Sequence, residues 1–101
     1  MKVLEVGASS GFRVLAGTER SQAAAMTLPL GTSTGGLDDR HARSDQWLYV
    51  VAGSGVAVME GEECAIEAAS LLLIEAGEEH EISSTGDQPL QTTSIYYAPP
   101  E

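Results

Sequence analysis

The side chains best suited to bind a ligand or to catalyse a reaction lie in two places in this sequence. His41, Arg43, Asp45 and Gln46 form a polar segment that leads directly into an aromatic and β-branched stretch. A polar loop that runs into a rigid strand is a common way to aim side chains at a ligand. His80 lies at the start of another predicted strand. Histidines that each open a strand can meet at one end of a closed sheet, so the pattern indicates a small-ligand site.

Each of these residues also has an interpretation without function. His41 can be an exposed loop histidine beside two aspartates, and His80 can belong to a solvated acidic turn. Arg43 can form a surface ion pair of little energetic value, or a bidentate clamp on a ligand carboxylate or phosphate. Ser44 is close to His41 in sequence only, which does not make a nucleophile–base pair, so no catalytic residue is assigned.

Composition indicates one small acidic domain. The chain has 101 residues, of which 43% are hydrophobic, enough for a single core. Its formal net charge of −10 repels phosphate backbones and anionic membrane surfaces, so neither nucleic acid nor a membrane is an expected partner. No segment is typical of a signal peptide or of a bilayer-spanning run, and a cytoplasmic protein is expected.

Cysteine usage agrees with a reducing compartment. Cys64 is the one cysteine of the chain, so an internal disulfide cannot form. Because it alternates with Ile66, we expect Cys64 to be a small buried hydrophobe rather than a nucleophile.

Short segments separated by frequent turns predict an all-β fold with almost no helix. The segment 22–30 has apolar residues at period two, which predicts a strand with one buried face. The apolar run Leu71–Ile74 suits a strand that is buried on both faces. Three strands are predicted to form a meander of adjacent antiparallel neighbours, at 47–51, 56–60 and 62–67. Further strands are predicted at 2–6, 12–16, 79–84 and 89–97.

With this order of turns and polar residues, the sequence resembles the cupin family over about residues 22–97. The first cupin motif has a glycine, five residues, His-x-His, a short gap, a glutamate, six residues and a glycine. Gly35 has the required spacing to His41, and Gln46 has the required spacing to Gly53. Arg43 stands in place of the second histidine, and Gln46 stands in place of the glutamate.

The second cupin motif has a glycine, five residues, Pro-x-Gly, two residues, a histidine, three residues and an asparagine. Gly77 and His80 match this motif. Ala69, Glu75 and Ser84 stand where the motif has its first glycine, its proline and its asparagine. The glycines and alternating strands that shape the barrel remain, so the resemblance still implies the family's fold.

The resemblance implies one cupin-like domain, an all-β jelly-roll or double-stranded β-helix barrel of about eight to ten short strands. The barrel would span residues 22–97, with an N-terminal arm at 1–21 and an extended tail at 98–101. In the family, the motif side chains usually hold one divalent metal inside the barrel mouth. Carried over by position, the candidate ligands for zinc, iron, nickel, manganese or copper are His41, His80 and Gln46.

Two neighbouring residues bear on this ligand set. Arg43 cannot ligate a metal because it is a permanent cation with donors only, and we expect it to orient an anionic ligand. Asp45 is an alternative third ligand, since a carboxylate and two histidines make the facial arrangement of non-haem iron oxygenases. Strand alternation argues against it, because Asp45 and Gln46 should point to opposite sides.

Aromatic residues indicate possible ligand and partner contacts. Trp47 and Tyr49 share one face of their strand, which predicts burial against a second sheet or a second subunit. The cupin resemblance favours the second subunit, in a homodimer. Tyr96 and Tyr97 point to opposite sides of the last strand, so one of them can line the pocket. The spacing does not decide between them, and Tyr96 is the candidate ligand-binding residue.

Three functions follow from these features. The leading hypothesis is a small-molecule site with a divalent metal, which in an enzyme would polarise a carbonyl or activate water or dioxygen. The second is a metal-free binding or sensing module, favoured by the replacement of two of the four family ligands. The third is a structural homodimer. Whether the protein is an enzyme stays open, because a fold alone does not define a function.

Overall fold

A computed structural model describes residues 1–7, 11–34 and 43–99. These residues form strands and no helix, as the sequence predicts for an all-β barrel, and none of them belongs to a helix that could cross a membrane. The strands are β1 (Gly11–Gly17), β2 (Gln22–Leu28), β3 (Asp45–Ala52), β4 (Ser54–Met59), β5 (Glu62–Glu67), β6 (Leu71–Ile74), β7 (His80–Ser84) and β8 (Leu90–Tyr97).

The strands form two antiparallel sheets that face each other. The larger sheet has the order β1-β2-β8-β3-β6, and the smaller has the order β5-β4-β7. Alternate residues of each strand point between the sheets, which is why β3 has the burial pattern of Leu48 and Val50 inside and Trp47 and Tyr49 outside. The shared core consists of Leu28, Leu48, Val50, Ala57, Ile66, Leu72, Ile82 and Leu90.

The predicted three-strand meander is wrong at its first turn. β3 pairs with β6 and β8, whereas β4 pairs with β5 and β7, so the chain crosses from one sheet to the other between β3 and β4. Gly53 makes this corner with a φ of +87°. A Cβ atom at Gly53 would also collide with the carbonyl oxygen of Pro89. Positive φ and close backbone approach both require glycine, and here they direct a change of sheet rather than a hairpin.

Two further predictions, both about burial, are wrong for strands at the edges of the sheets. In β6, Leu72 and Ile74 are buried but Leu71 and Leu73 are 61% and 41% exposed, so burial on both faces is wrong for the single chain. Cys64 is exposed rather than buried. It lies on the inward side of β5, opposite Ala57. However, β5 is the end strand of its sheet, and no further strand of the described residues covers it.

The N-terminal region contributes one strand instead of two. The predicted strand at residues 2–6 is absent, whereas β1 forms and pairs with β2 along the end of the larger sheet. Alternation over five residues is a weak signal when no neighbouring strand accepts the hydrogen bonds.

Residues 31–34 run along the outer edge of β7 and close the smaller sheet. Gly31 and Thr34 donate backbone hydrogen bonds to Ser84 and Ile82, and Ser84 donates one of 2.8 Å to Thr32. The Thr34 hydroxyl also accepts a bond of 3.1 Å from the Ile82 amide. This pairing brings the chain after β2 to the end of the barrel where β7 begins.

Candidate functional site

A cavity of about 430 Å³ lies between the two sheets, and this volume suits a small-molecule ligand. Its described lining includes no Asp, Glu, Lys or Arg. The polar residues of the lining are Ser33, Thr34, Gln46, His80, Thr92, Ser94 and Tyr96. Its apolar residues include Phe12, Ala24, Met26, Leu28, Leu48 and Ile82. An apolar cavity with a few convergent polar groups is the usual form of a ligand site.

Gln46 presents an unsatisfied oxygen in this cavity. The residue is the second of β3, where strand alternation turns it inward, and it is 6% exposed. Its Nε2 atom donates a hydrogen bond of 3.0 Å to the Ser94 hydroxyl, which is also buried. Its Oε1 atom is buried and has no hydrogen-bond partner among the described residues. A buried acceptor in this state costs about 1–3 kcal/mol unless a ligand, ion or water satisfies it.

His80 opens β7 on the opposite sheet and lines the same cavity. Its side chain is buried, and its Nδ1 atom lies 3.1 Å from the backbone oxygen of Glu78. A carbonyl oxygen can only accept, so Nδ1 carries the hydrogen of this bond. In the neutral ring the lone pair is therefore on Nε2. Histidines that bind metals commonly donate their other ring N–H to a backbone carbonyl in this way.

The last strand supplies three more polar groups. Thr92, Ser94 and Tyr96 occupy alternate positions of β8, and all three are buried at the cavity. Tyr96 is 3% exposed and pairs with Gln46 across the strands, whereas Tyr97 is 61% exposed on the outer side. The structure therefore places Tyr96, and not Tyr97, in the pocket.

Asp45 points away from the described lining. Its Oδ1 atom accepts a hydrogen bond of 2.9 Å from the Ala76 amide, in the turn between β6 and β7. Asp45 and Gln46 thus lie on opposite sides of β3, as strand alternation predicts. The carboxylate holds the turn that leads to His80, which gives it a structural role.

The other sequence candidates fall outside this group. His41 lies outside the described residues. Arg43 is exposed and does not line the described part of the cavity. Within residues 1–7, 11–34 and 43–99, no three His, Cys, Asp or Glu side chains come together in a way that could hold a metal ion. Gln46 and His80 are the proposed ligands that the structure does bring to one cavity.

Sequence reasoning missed Ser94, the residue that orients the Gln46 amide. The signal was present, because Thr92, Ser94 and Tyr96 are polar or amphipathic residues at period two in a strand. Three such residues on one strand face indicate a polar surface, and their burial becomes visible only when the opposite sheet is known.

The fold and the cavity together define a β-barrel protein with a small-molecule site between its sheets. Residues 24–96 match the family model described as "Cupin domain". The chain belongs to the cupin family, and its cavity is a cupin small-molecule site.

Solved structures show the same fold along most of the chain. A protein of Bacillus halodurans is 28% identical, with a TM-score of 0.85, over 91% of this chain and 73% of that one. A predicted oxalate decarboxylase of Thermotoga maritima is 26% identical, with a TM-score of 0.78, over 87% and 79%. An RmlC-like cupin of Methanocaldococcus jannaschii with a double-stranded β-helix fold is 16% identical, with a TM-score of 0.83, over 97% and 91%.

Proposed function

We propose that the cavity binds a divalent transition metal together with a small anionic metabolite. The unpartnered Gln46 Oε1 atom carries this proposal, because it is a buried carbonyl oxygen in the same cavity as the His80 ring. A cation would satisfy the oxygen that no described protein group satisfies. Because His80 Nδ1 bonds to the backbone oxygen of Glu78, a metal bound by this ring would be held through Nε2.

His41 is the third ligand of the proposal, on the spacing of the first cupin motif alone. Two imidazoles and one neutral amide oxygen suit zinc, nickel, copper, iron or manganese better than magnesium or calcium, which prefer oxygen ligands. A metal bound there would supply Lewis-acid polarisation of a ligand carbonyl, or activation of water or dioxygen. The residues of this chain would orient the ligand through Tyr96, Ser94 and Thr92 and exclude water with the apolar wall.

A small anion is supported by one residue and one relative. Arg43 is three residues before Gln46 and carries a guanidinium that can bind a carboxylate through two hydrogen bonds. Because Arg43 is exposed, it would contact the part of a ligand nearest the solvent. The Thermotoga relative is described as a predicted oxalate decarboxylase, which names a small dicarboxylate.

A metal-free binding module is the second candidate function. The described lining has no carboxylate, and Gln46 is a weaker metal ligand than the glutamate of the family motif. The same Gln46 oxygen can accept a hydrogen bond from a ligand hydroxyl or amide instead. In that case the cavity would select a small molecule with a hydrogen-bond donor.

Metal retention separates the two candidates. The purified, untagged chain is dialysed against a mixture of first-row divalent metals, then against metal-free buffer, and its metal content is measured. We expect about one equivalent per chain in the wild type and a sharp loss in His80→Ala and His80→Asn. Binding of Co²⁺, followed by its visible absorption, gives a readout independent of activity.

Glu63→Gln is the matched control, because Glu63 is exposed on β5 and tests binding by the acidic surface. Its metal content should equal that of the wild type. Full retention by both folded His80 variants would show that the proposed ligand set is wrong. A wild-type chain that retains no metal would assign the cavity to the metal-free module.

A further inference from the structure

One side of the cavity is apolar and comes from the two strands at one end of the larger sheet. None of the lining residues that β1 and β2 supply is polar: Gly11, Phe12, Ala24, Ala25, Met26 and Leu28. The polar lining residues lie on β3, β7, β8 and the segment 33–34 instead. β1 also precedes the residues that match the cupin family model, so Phe12 is a feature of this chain that the family match does not cover.

Strand register places this apolar side away from Gln46. Phe12 pairs with Met26, and Met26 pairs with Thr92 of β8. Gln46 pairs with Tyr96, which lies four residues after Thr92 on the same strand. Four residues of a strand span about 13 Å. A ligand that contacts both regions is therefore elongated, with a polar group near Gln46 and an apolar part near Met26.

Phe12 has the surroundings of a side chain that a ligand can cover. It lines the cavity and is still 56% exposed, because β1 is the end strand of its sheet and no other described strand lies beyond it. Its neighbour across the strands, Met26, is partly buried and packs against the core. Aromatic rings attract each other beyond the area that they bury, and a thioether also makes favourable contacts with a ring. An aromatic ligand group would therefore bind here more tightly than an alkyl chain.

The cavity has room for a ring and a short chain. Its volume of about 430 Å³ is within the range of pockets that enclose drug-sized molecules. Ala24 and Ala25 form part of the wall, so small side chains leave space beside Met26. The described lining carries no charged side chain, so a ring that enters it takes no charge out of water.

We propose that Phe12 and Met26 bind the aromatic ring of an elongated ligand whose polar group lies at the Gln46 end of the cavity. The substrate class is an aryl-substituted, short-chain carboxylic acid. The position of its carboxylate rests on the proposed function, which places the metal and Arg43 at that end. The ring subsite does not rest on it, because this subsite uses neither a metal nor a charge. Phe12 is then a residue that determines specificity.

Two pairs of probes test the ring subsite with and without metal. Phenylpropanoate and propanoate are titrated calorimetrically into the metal-loaded protein, and phenylpropanol and propanol into the metal-free protein. In each pair the phenyl compound should bind about thirty-fold more tightly, because it buries an apolar group of the size of a phenylalanine side chain.

The two pairs separate this proposal from the proposed metal site. No preference within the alcohol pair would overturn the ring subsite, whatever the metal content. A preference within the alcohol pair alone, in a chain that does bind metal, would overturn the assignment of a carboxylic acid. A chain that retains no metal but prefers phenylpropanol would support the ring subsite and refute only the metal site.

Substitutions in β1 test the part of Phe12. Phe12→Ser should weaken phenylpropanol binding about ten-fold and leave propanol binding unchanged, whereas Phe12→Tyr should retain the affinity of the wild type. Val14→Ser is the matched control, because Val14 is 50% exposed on the same strand and does not line the described part of the cavity. Circular dichroism should show all three variants folded. An equal loss of affinity in Phe12→Ser and Val14→Ser would overturn the role of Phe12.

The methionine methyl groups locate the bound ring directly by NMR. Met26 lines the cavity and pairs with Phe12, whereas Met59 pairs with His80 at the other end. The ring current of bound phenylpropanol should shift the Met26 methyl resonance upfield and leave that of Met59 in place. Propanol should cause no upfield shift, and Met26→Leu assigns the resonance. An upfield shift of Met59 alone would show that the ligand lies in the reverse direction, which would overturn the proposal.

Discussion

The Gln46 side-chain nitrogen donates to the Ser94 hydroxyl at 3.0 Å, and this bond fixes which end of the amide is available in the cavity. The NH₂ group bonds to β8, so the carbonyl oxygen is the amide atom that has no partner in the described part of the chain. The cavity therefore presents an acceptor at this point, and the His80 ring lines the same cavity. A buried carbonyl oxygen favours a cation or a hydrogen-bond donor over an anion at this point of the cavity.

Gln46→Glu should increase metal affinity at least about ten-fold, because a carboxylate replaces a neutral oxygen in the same position. Without metal, the variant should be less stable than the wild type, since the new charge is buried with no basic residue in the described lining. Isothermal titration with Zn²⁺ or Co²⁺ and thermal unfolding measure the two effects. Gln46→Met, of similar size, should bind metal more weakly without that loss of stability. Equal affinities in all three proteins would contradict a role for Gln46 as a ligand.

Two buried serines should respond in opposite directions to removal of the hydroxyl. Ser94→Ala should destabilise the protein by about 1–2 kcal/mol, because it leaves the buried Gln46 nitrogen without its acceptor. Ser84 is equally buried, but its Oγ atom has no hydrogen-bond partner within residues 1–7, 11–34 and 43–99. Ser84→Ala should therefore be neutral or stabilising by up to about 1 kcal/mol. Urea unfolding of both variants compares them, and a larger loss for Ser84→Ala would contradict the assignment.

Gly53→Ala should be far more damaging than Gly61→Ala. Both glycines have positive φ, 87° and 86°, so both substitutions carry the left-handed backbone cost of about 1 kcal/mol. At Gly53 the new Cβ would also collide with the Pro89 backbone, whereas nothing lies within 4 Å at Gly61. We expect a loss above about 3 kcal/mol for Gly53→Ala. Similar midpoints in chemical unfolding would show that the corner between the sheets can relax.

Arg43→Ala should weaken the binding of small carboxylates and leave metal content unchanged. The guanidinium is proposed to hold the ligand's anionic end, and it cannot ligate a metal itself. Titration of the metal-loaded protein with oxalate gives the change in affinity, which we expect to be about ten-fold or more. Arg20→Ala, in the exposed turn between β1 and β2, controls for general charge. Unchanged oxalate binding in Arg43→Ala would remove Arg43 from the site.

The sequence predicts the alternating direction of side chains along a single strand, because this direction depends only on the pleat of the backbone. It correctly predicted that Asp45 and Gln46 point to opposite sides of β3, that Trp47 and Tyr49 share one face, and that β5 and β6 span 62–67 and 71–74. Glycine and proline turns located most strand ends for the same local reason. The spacing of the cupin motifs identified the family over most of the chain.

Contacts between distant segments decided what the sequence left open. Burial of β6 on one side depends on which strands and sheets surround it, and Cys64 is exposed because β5 is an end strand. Likewise, the sequence around Gly53 indicates a hairpin turn, and only the close approach of the Pro89 backbone shows that it is a corner between the sheets. Such facts depend on pairings between residues that are far apart in the chain, which local propensity does not encode.

The sequence by itself determined the fold family, the placement of Asp45 and Gln46 on opposite sides of their strand, and a strand that has His80 at its start. Only the tertiary structure decided that Tyr96 rather than Tyr97 lines the cavity and that Ser94 accepts a hydrogen bond from the Gln46 nitrogen. It also decided that the Gln46 oxygen has no partner among the residues described. The physical reason is that side-chain direction is a property of one strand, whereas satisfaction of a buried polar atom depends on every segment packed around it.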